Sequence, residues 1–169
     1  MSGRSQILIS RAAVSGVLLI LLGAWGALIP FVGPYFHFAY TPDTSWHFTL
    51  ARLWLEILPG VTASLGGVLI ITSSRRLPSA GGMVAAALAG GWFALGNVVN
   101  QLWPHLGTPG VPAGSARQVA LEGIGFFTGL GIVIVFVAAL ALGRLSASAA
   151  DAGPVPATAA ADYILPVEE

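Results

Sequence analysis

Within the stretch ARLWLEILPG, residues 51–60, Arg52 and Glu56 stand four positions apart in an otherwise apolar run. That spacing places both side chains on one face of a helix, with Glu56 about 6 Å deeper than Arg52 by helical rise. Charged groups so placed do one of two things. They lock helix register through charge-assisted hydrogen bonds, or the carboxylate titrates and holds a small ligand in a polar pocket. The pattern returns at Arg117, Gln118 and Glu122, while Asn97, Asn100 and Gln101 add amides from a third stretch. Pro59 has no N–H for the carbonyl of Leu55, which predicts a kink and an underused acceptor beside Glu56.

The elements that must position these groups are membrane helices. Of 169 residues, 56% are hydrophobic and 8% charged, against about a quarter charged in soluble domains. Four apolar runs, about residues 12–32, 50–72, 80–103 and 119–142, are long enough for a hydrocarbon core that needs roughly 20 helical residues. They are helices 1 to 4 of a predicted four-transmembrane-helix bundle spanning residues 1–143. The first run is longer than the apolar core of a signal peptide and is read as a helix. Residues 144–169, rich in Ala, Pro, Ser and acidic side chains, read as a disordered cytoplasmic tail.

Net charge is zero and cysteine is absent. The first leaves no basic field for nucleic acid, and the second excludes disulfides, thiolate metal sites and dithiol redox chemistry. Arg4, Arg11, Arg75, Arg76 and Arg144 fall on one side, Arg52 and Arg117 on the other. Positive charge marks cytoplasmic loops, so both termini are expected in the cytoplasm of a multi-pass cell-membrane protein. Outside lie loops 34–49 and 104–117, rimmed by Tyr35, Tyr40, Trp46 and Trp103, while 73–79 forms a tight inner turn.

The chain reads as two similar helical hairpins. Gly23-Ala24-Trp25 on helix 1 is echoed by Gly90-Gly91-Trp92 on helix 3. Arg52, Gly60, Leu65, Gly66 and Val68 on helix 2 recur at the same spacing as Arg117, Gly125, Leu130, Gly131 and Val133 on helix 4. Small residues at close-packing spacing (Gly60 with Ser64, Ala63 with Gly67, Gly90 with Ala94, Gly125 with Gly129) supply faces where helices approach in lipid.

Arg52, Glu56, Asn97, Asn100, Gln101, Arg117, Gln118 and Glu122 all fall in the outer third of this bundle. An ionised group near mid-bilayer costs about 2.5 to 3.5 kcal/mol on insertion scales, so these residues are expected to face one another. Two arrangements fit: a closed network in which Arg52 and Arg117 pair with the two glutamates, or an outward-open pocket with Glu56 and Glu122 as titratable groups. His37, His47, His105 and Asp43 lie in the outer loops without metal-ligand spacing, and neither a metal nor another cofactor is expected. No phosphate loop, nucleotide fingerprint or Ser-His-Asp motif is present, so no enzymatic activity is expected.

The run GAWGALIPFVGPYF, followed by Trp46 and ARLWLEILPGVTASLGG, resembles small bacterial four-helix membrane proteins of the SPW-repeat type. Glu56 with Gly60, Gly66 and Gly67 before the Arg75-Arg76 turn is more weakly similar to DoxX-like membrane proteins. The resemblance implies a fold and carries no agreed activity. The expected function is that of an accessory or scaffold subunit of an envelope assembly, its partners being the lipid bilayer and a membrane protein or a second copy of the chain. The alternative is a small-molecule binder or transporter using the pocket around Glu56 and Glu122.

The arginine distribution predicts topology directly. Reporters fused at Ser2 and after Glu169 should both be active in the cytoplasm, and a tag within 41–45 should be labelled from outside. An external C-terminus overturns the orientation.

Overall fold

The computed structural model describes residues 2–38, 40–41, 45–102 and 111–150, with side chains placed for 12–38, 45–102 and 112–148. Helix 1 runs Ser2–Val32 and passes into a 3-10 turn, Gly33–Phe36. Helix 2 spans Leu50–Thr72 and contains a π-helical turn, Leu53–Ile57. Helix 3 is Arg76–Asn100. Helix 4 comes in two pieces, Ala116–Phe126 and Thr128–Ala150. All four are long and apolar enough to cross a membrane. Each packs on its sequence neighbour, and helix 4 closes the ring against helix 1. The result is an all-α four-helix bundle, with the start of helix 1, the end of helix 4 and the turn between helices 2 and 3 at one end, here the terminal end.

The opposite, loop end carries two long connections. They meet in a short antiparallel ladder, β1 (Tyr40–Thr41) against β2 (Val111–Pro112), with Tyr40 opposite Pro112. Helices 2 and 4 both begin there with a capping hydroxyl. Thr49 Oγ1 accepts from the amide of Arg52 at 3.1 Å, and Ser115 Oγ accepts from that of Gln118 at 3.3 Å. Each satisfies an amide that the first helical turn leaves without an acceptor.

Several boundaries differ from those read in the sequence. Helix 4 begins at Ala116 and continues to Ala150, so the first residues assigned to the tail are helical. Alanine favours this extension, and Ser146 and Ser148 donate their hydroxyls to the carbonyls of Leu142 and Arg144. Residues 151–169 lie outside the described region, as do Asp43, Trp103 and His105. Helix 3 starts at Arg76 instead of residue 80, because Pro78 falls in the first turn, where a missing N–H costs nothing. Helix 1 starts at Ser2.

The core is narrow. Leu19, Ala63, Ala86, Phe93, Ile134 and Ala138 are its most completely buried members. Leu21, Leu88, Leu95, Ile124 and Phe136 point outward and are mostly exposed, an apolar belt that suits lipid and would be a liability in water.

Glycine against glycine sets the helix separations. Gly16 faces Gly67 and Gly23 faces Gly60 between helices 1 and 2; Gly66 faces Gly82 between helices 2 and 3; Gly90 faces Gly131 between helices 3 and 4. A β-carbon on Gly60 would lie 2.6 Å from the Gly23 carbonyl oxygen, and one on Gly90 would lie 2.7 Å from that of Gly131. Helix 4 departs from expectation here. Gly125 is exposed with nothing near its missing side chain, and Gly129 abuts Ile124 of its own helix, because the helix breaks at Phe127 between them.

The adjacent pair Gly90 and Gly91 tests this packing. Gly91 borders open space. Gly90→Ala should lower stability by about 1 to 3 kcal/mol through overpacking, whereas Gly91→Ala should leave it unchanged or raise it by up to ~1 kcal/mol. Thermal melts in one detergent check this; equal shifts would refute the close contact.

Candidate functional site

Arg52 and Glu56 are both fully buried. Arg52 Nη1 donates to the carbonyl of His47 at 2.6 Å, and the guanidinium carbon lies 5.7 Å from the centroid of the Phe31 ring. Trp46 also packs on Phe31, its ring centroid 5.9 Å from that of Phe31, and its amide donates to the Phe31 carbonyl at 3.4 Å. The cation thus fastens residues 46–47 of the first loop to the ends of helices 1 and 2. A charge-assisted hydrogen bond combined with a cation–π contact away from water is strong among side-chain interactions. Nε and Nη2 of Arg52 have no hydrogen-bond partner.

Glu56 sits on the π-turn, where helix 2 meets helices 1 and 3. The turn follows from the local sequence. The amide of Leu58 donates to Leu53, five residues back. In the same register the next donor would be Pro59 to the carbonyl of Trp54, but proline has no N–H. The indole Nε1 of Trp92 on helix 3 donates to that carbonyl instead, at 2.8 Å. The underused acceptor expected at Leu55 is therefore found at Trp54, shifted by the extra residue of the turn, and it is satisfied from the neighbouring helix. The break in helix 4 receives a similar donor. Trp25 Nε1 of helix 1 reaches the Gly125 carbonyl at 3.3 Å, with its ring 5.7 Å from that of Phe126.

The second carboxylate has different surroundings. Glu122 is buried, and its Oε1 accepts from Gln118 Nε2 at 3.1 Å; the same amide nitrogen is 3.2 Å from the His37 carbonyl. Glu122 Oε2 has no hydrogen-bond partner. These groups line a cavity of about 310 Å³ at the loop end, together with Phe38, Ser115, Arg117 and Phe126. Ser115 Oγ serves as the helix cap, and no hydrogen bond joins it to the His37 ring or joins that ring to Glu122. A nucleophile relay is thus not assembled here. Among the described residues no three metal-ligating side chains gather.

The eight residues expected to form one cluster are therefore divided. Arg52 and Glu56 are sealed inside helix 2's junction, and Gln118 with Glu122 line the loop-end cavity. Arg117 is exposed at the rim of that cavity and does not bond Glu122. Gln101 is exposed, while Asn97 and Asn100 are half-buried, each with its Oδ1 sealed and unpartnered. Glu122 borders the loop-end cavity and Glu56 does not, although sequence depth alone placed them together. Sequence reasoning missed the tryptophan donors and the Phe31 platform. The aligned Trp25 and Trp92 were the available signal.

Comparison with protein-family models, curated proteins and solved structures yields no match to this chain. Its class rests on its own fold: a bundle of four helices able to cross a membrane, with buried carboxylates toward the loop end.

A double-mutant cycle tests the π-turn. Trp92→Phe should cost about 1 kcal/mol by leaving the Trp54 carbonyl unpaired. Combined with Pro59→Ala, which returns a backbone N–H to this turn, the same change should cost distinctly less. Additive melting shifts would remove Trp54 as the point of coupling.

Proposed function

We propose that this chain is a non-enzymatic integral membrane protein that acts by association, an accessory or scaffold subunit of an envelope assembly. Both termini lie in the cytoplasm and the loop end faces outward, the orientation favoured by the arginine distribution. The observation that carries the reading is the complete burial of Arg52 and Glu56. Sealed charges at a helix junction hold geometry, and Arg52 holds a loop as well. Such a rigid loop end is suited to presenting a fixed surface, including the exposed Tyr35, Phe36, Trp46 and Phe48, to a membrane-protein partner or a second copy of the chain.

Within this reading the two hairpins are duplicates, of the kind that the resemblance to SPW-repeat proteins implies. In support, the matched residues Trp25 and Trp92 each donate from the first helix of one hairpin to an irregular turn in the second helix of the other. The copies have diverged at Gly60 and Gly125, only the first of which packs against a partner glycine.

A second reading has its own observation. Glu122 presents an unpartnered carboxylate oxygen and lines the loop-end cavity, which fits a small cationic or hydrogen-bond-donating ligand.

Purification from native membranes separates the two. The scaffold reading expects a stoichiometric protein partner or homodimer retained by wild type and by Glu122→Gln alike. A monomer carrying a small molecule that Glu122→Gln loses, while its melting temperature stays within a few degrees of wild type, would overturn that reading in favour of the second.

A further inference from the structure

A cavity larger than that beside Glu122 lies at the terminal end, and neither glutamate lines it. Its volume is about 570 Å³, within the range of roughly 300 to 1,000 Å³ typical of small-molecule sites. Arg75, Arg76 and Arg144 line it together with Ser15, Ser79 and Ser148, and no acidic side chain appears among its described lining residues. Three guanidinium groups at one cavity repel one another, so the site favours an anion.

Little of this donor capacity is used within the protein. Arg144 Nη1 reaches Ser15 Oγ at 3.5 Å, and Arg76 Nη2 reaches the Ser148 carbonyl at 3.4 Å, both long bonds. The Arg75 guanidinium makes no hydrogen bond or ion pair with a described residue. Helix 3 also begins here. Arg75 is its N-cap and makes no side-chain cap bond, and the first turn holds no acidic residue. The amides of Arg76 and Leu77 thus have no helical acceptor and add to the positive field.

The remaining walls are apolar: Ile70 and Ile71 from helix 2, Met83 from helix 3, and Ala141 and Leu145 from helix 4. Ile71 is also substantially exposed on the outer surface of the bundle. Guanidinium donors at the membrane boundary, continuous with an apolar wall that opens toward lipid, match a phosphate attached to acyl chains better than a free ion. We infer that this cavity binds the head group of an anionic phospholipid from the leaflet at the arginine end. The phosphate sits among Arg75, Arg76 and Arg144, and an acyl chain runs along Ile71 and Leu145. Basic pockets between membrane helices recognise anionic lipids in this way. The site is independent of what the loop end does.

The full-length chain in detergent, titrated with phosphatidylglycerol or phosphatidylcholine, tests the assignment by native mass spectrometry and thermal melting. One phosphatidylglycerol should remain bound per chain and raise the melting temperature, with no equivalent effect from phosphatidylcholine. Apparent affinity should fall about fivefold for each arginine replaced by glutamine. Arg117→Gln, at the opposite end, should change nothing. Arg75→Glu removes no bond within the described fold, so it keeps the test decisive if the triple variant fails to fold, and it should abolish the preference for phosphatidylglycerol. Equal retention of both lipids, or an unchanged preference in Arg75→Glu, overturns the proposal. Inorganic phosphate that protects as well as phosphatidylglycerol also overturns it and assigns the cavity to a free anion.

Discussion

Contact between backbones at paired glycines is the interaction on which this bundle depends. Apolar side chains gain little by leaving lipid for one another, so helices associate where their surfaces approach most closely. The four pairs, Gly16 with Gly67, Gly23 with Gly60, Gly66 with Gly82 and Gly90 with Gly131, occur on three successive helix interfaces. Between them, alanines at positions 63, 86 and 138 keep the centre narrow. A core built this way has little room for polar side chains at its middle, and both described cavities lie toward its ends.

A second constraint shapes the loop half. Backbone polar groups within a hydrocarbon layer need partners inside the protein. Pro59 and the break at Phe127 each disturb a helical ladder, and each disturbance is met by an indole N–H from a neighbouring helix. Tryptophan suits this task because its single donor sits on a large apolar body. The irregular turns therefore become points where helices are joined, and Glu56 and Glu122 lie within or close to them.

The two ends consequently differ in chemistry. At the loop end two carboxylates are buried, and the Arg52 guanidinium is already engaged with His47 and Phe31. At the terminal end, arginines surround a larger cavity with most of their guanidinium donors unused among the described residues. The proposed scaffold role and the proposed lipid site account for both, since each end then serves to hold the bundle in a defined place.

Much of the architecture was legible without coordinates, because the signals are local. Apolar run length places four helices, and Leu50–Thr72 matches its expected bounds closely. The burial of Glu56 followed from its place in an apolar helix on the face that carries the small residues. What tertiary structure alone decided was which polar groups meet. Glu56 and Glu122 have similar sequence depth yet different surroundings, because an extra residue in the π-turn and a break after Phe126 rotate the two faces independently. The pairing of Gly90 with Gly131 in place of Gly125 has the same origin. The terminal cavity was likewise hidden. Ser15, the Arg75-Arg76 pair and Arg144 lie far apart in the chain, and only the packing of helix 4 against helices 1 and 3 brings their side chains to one space.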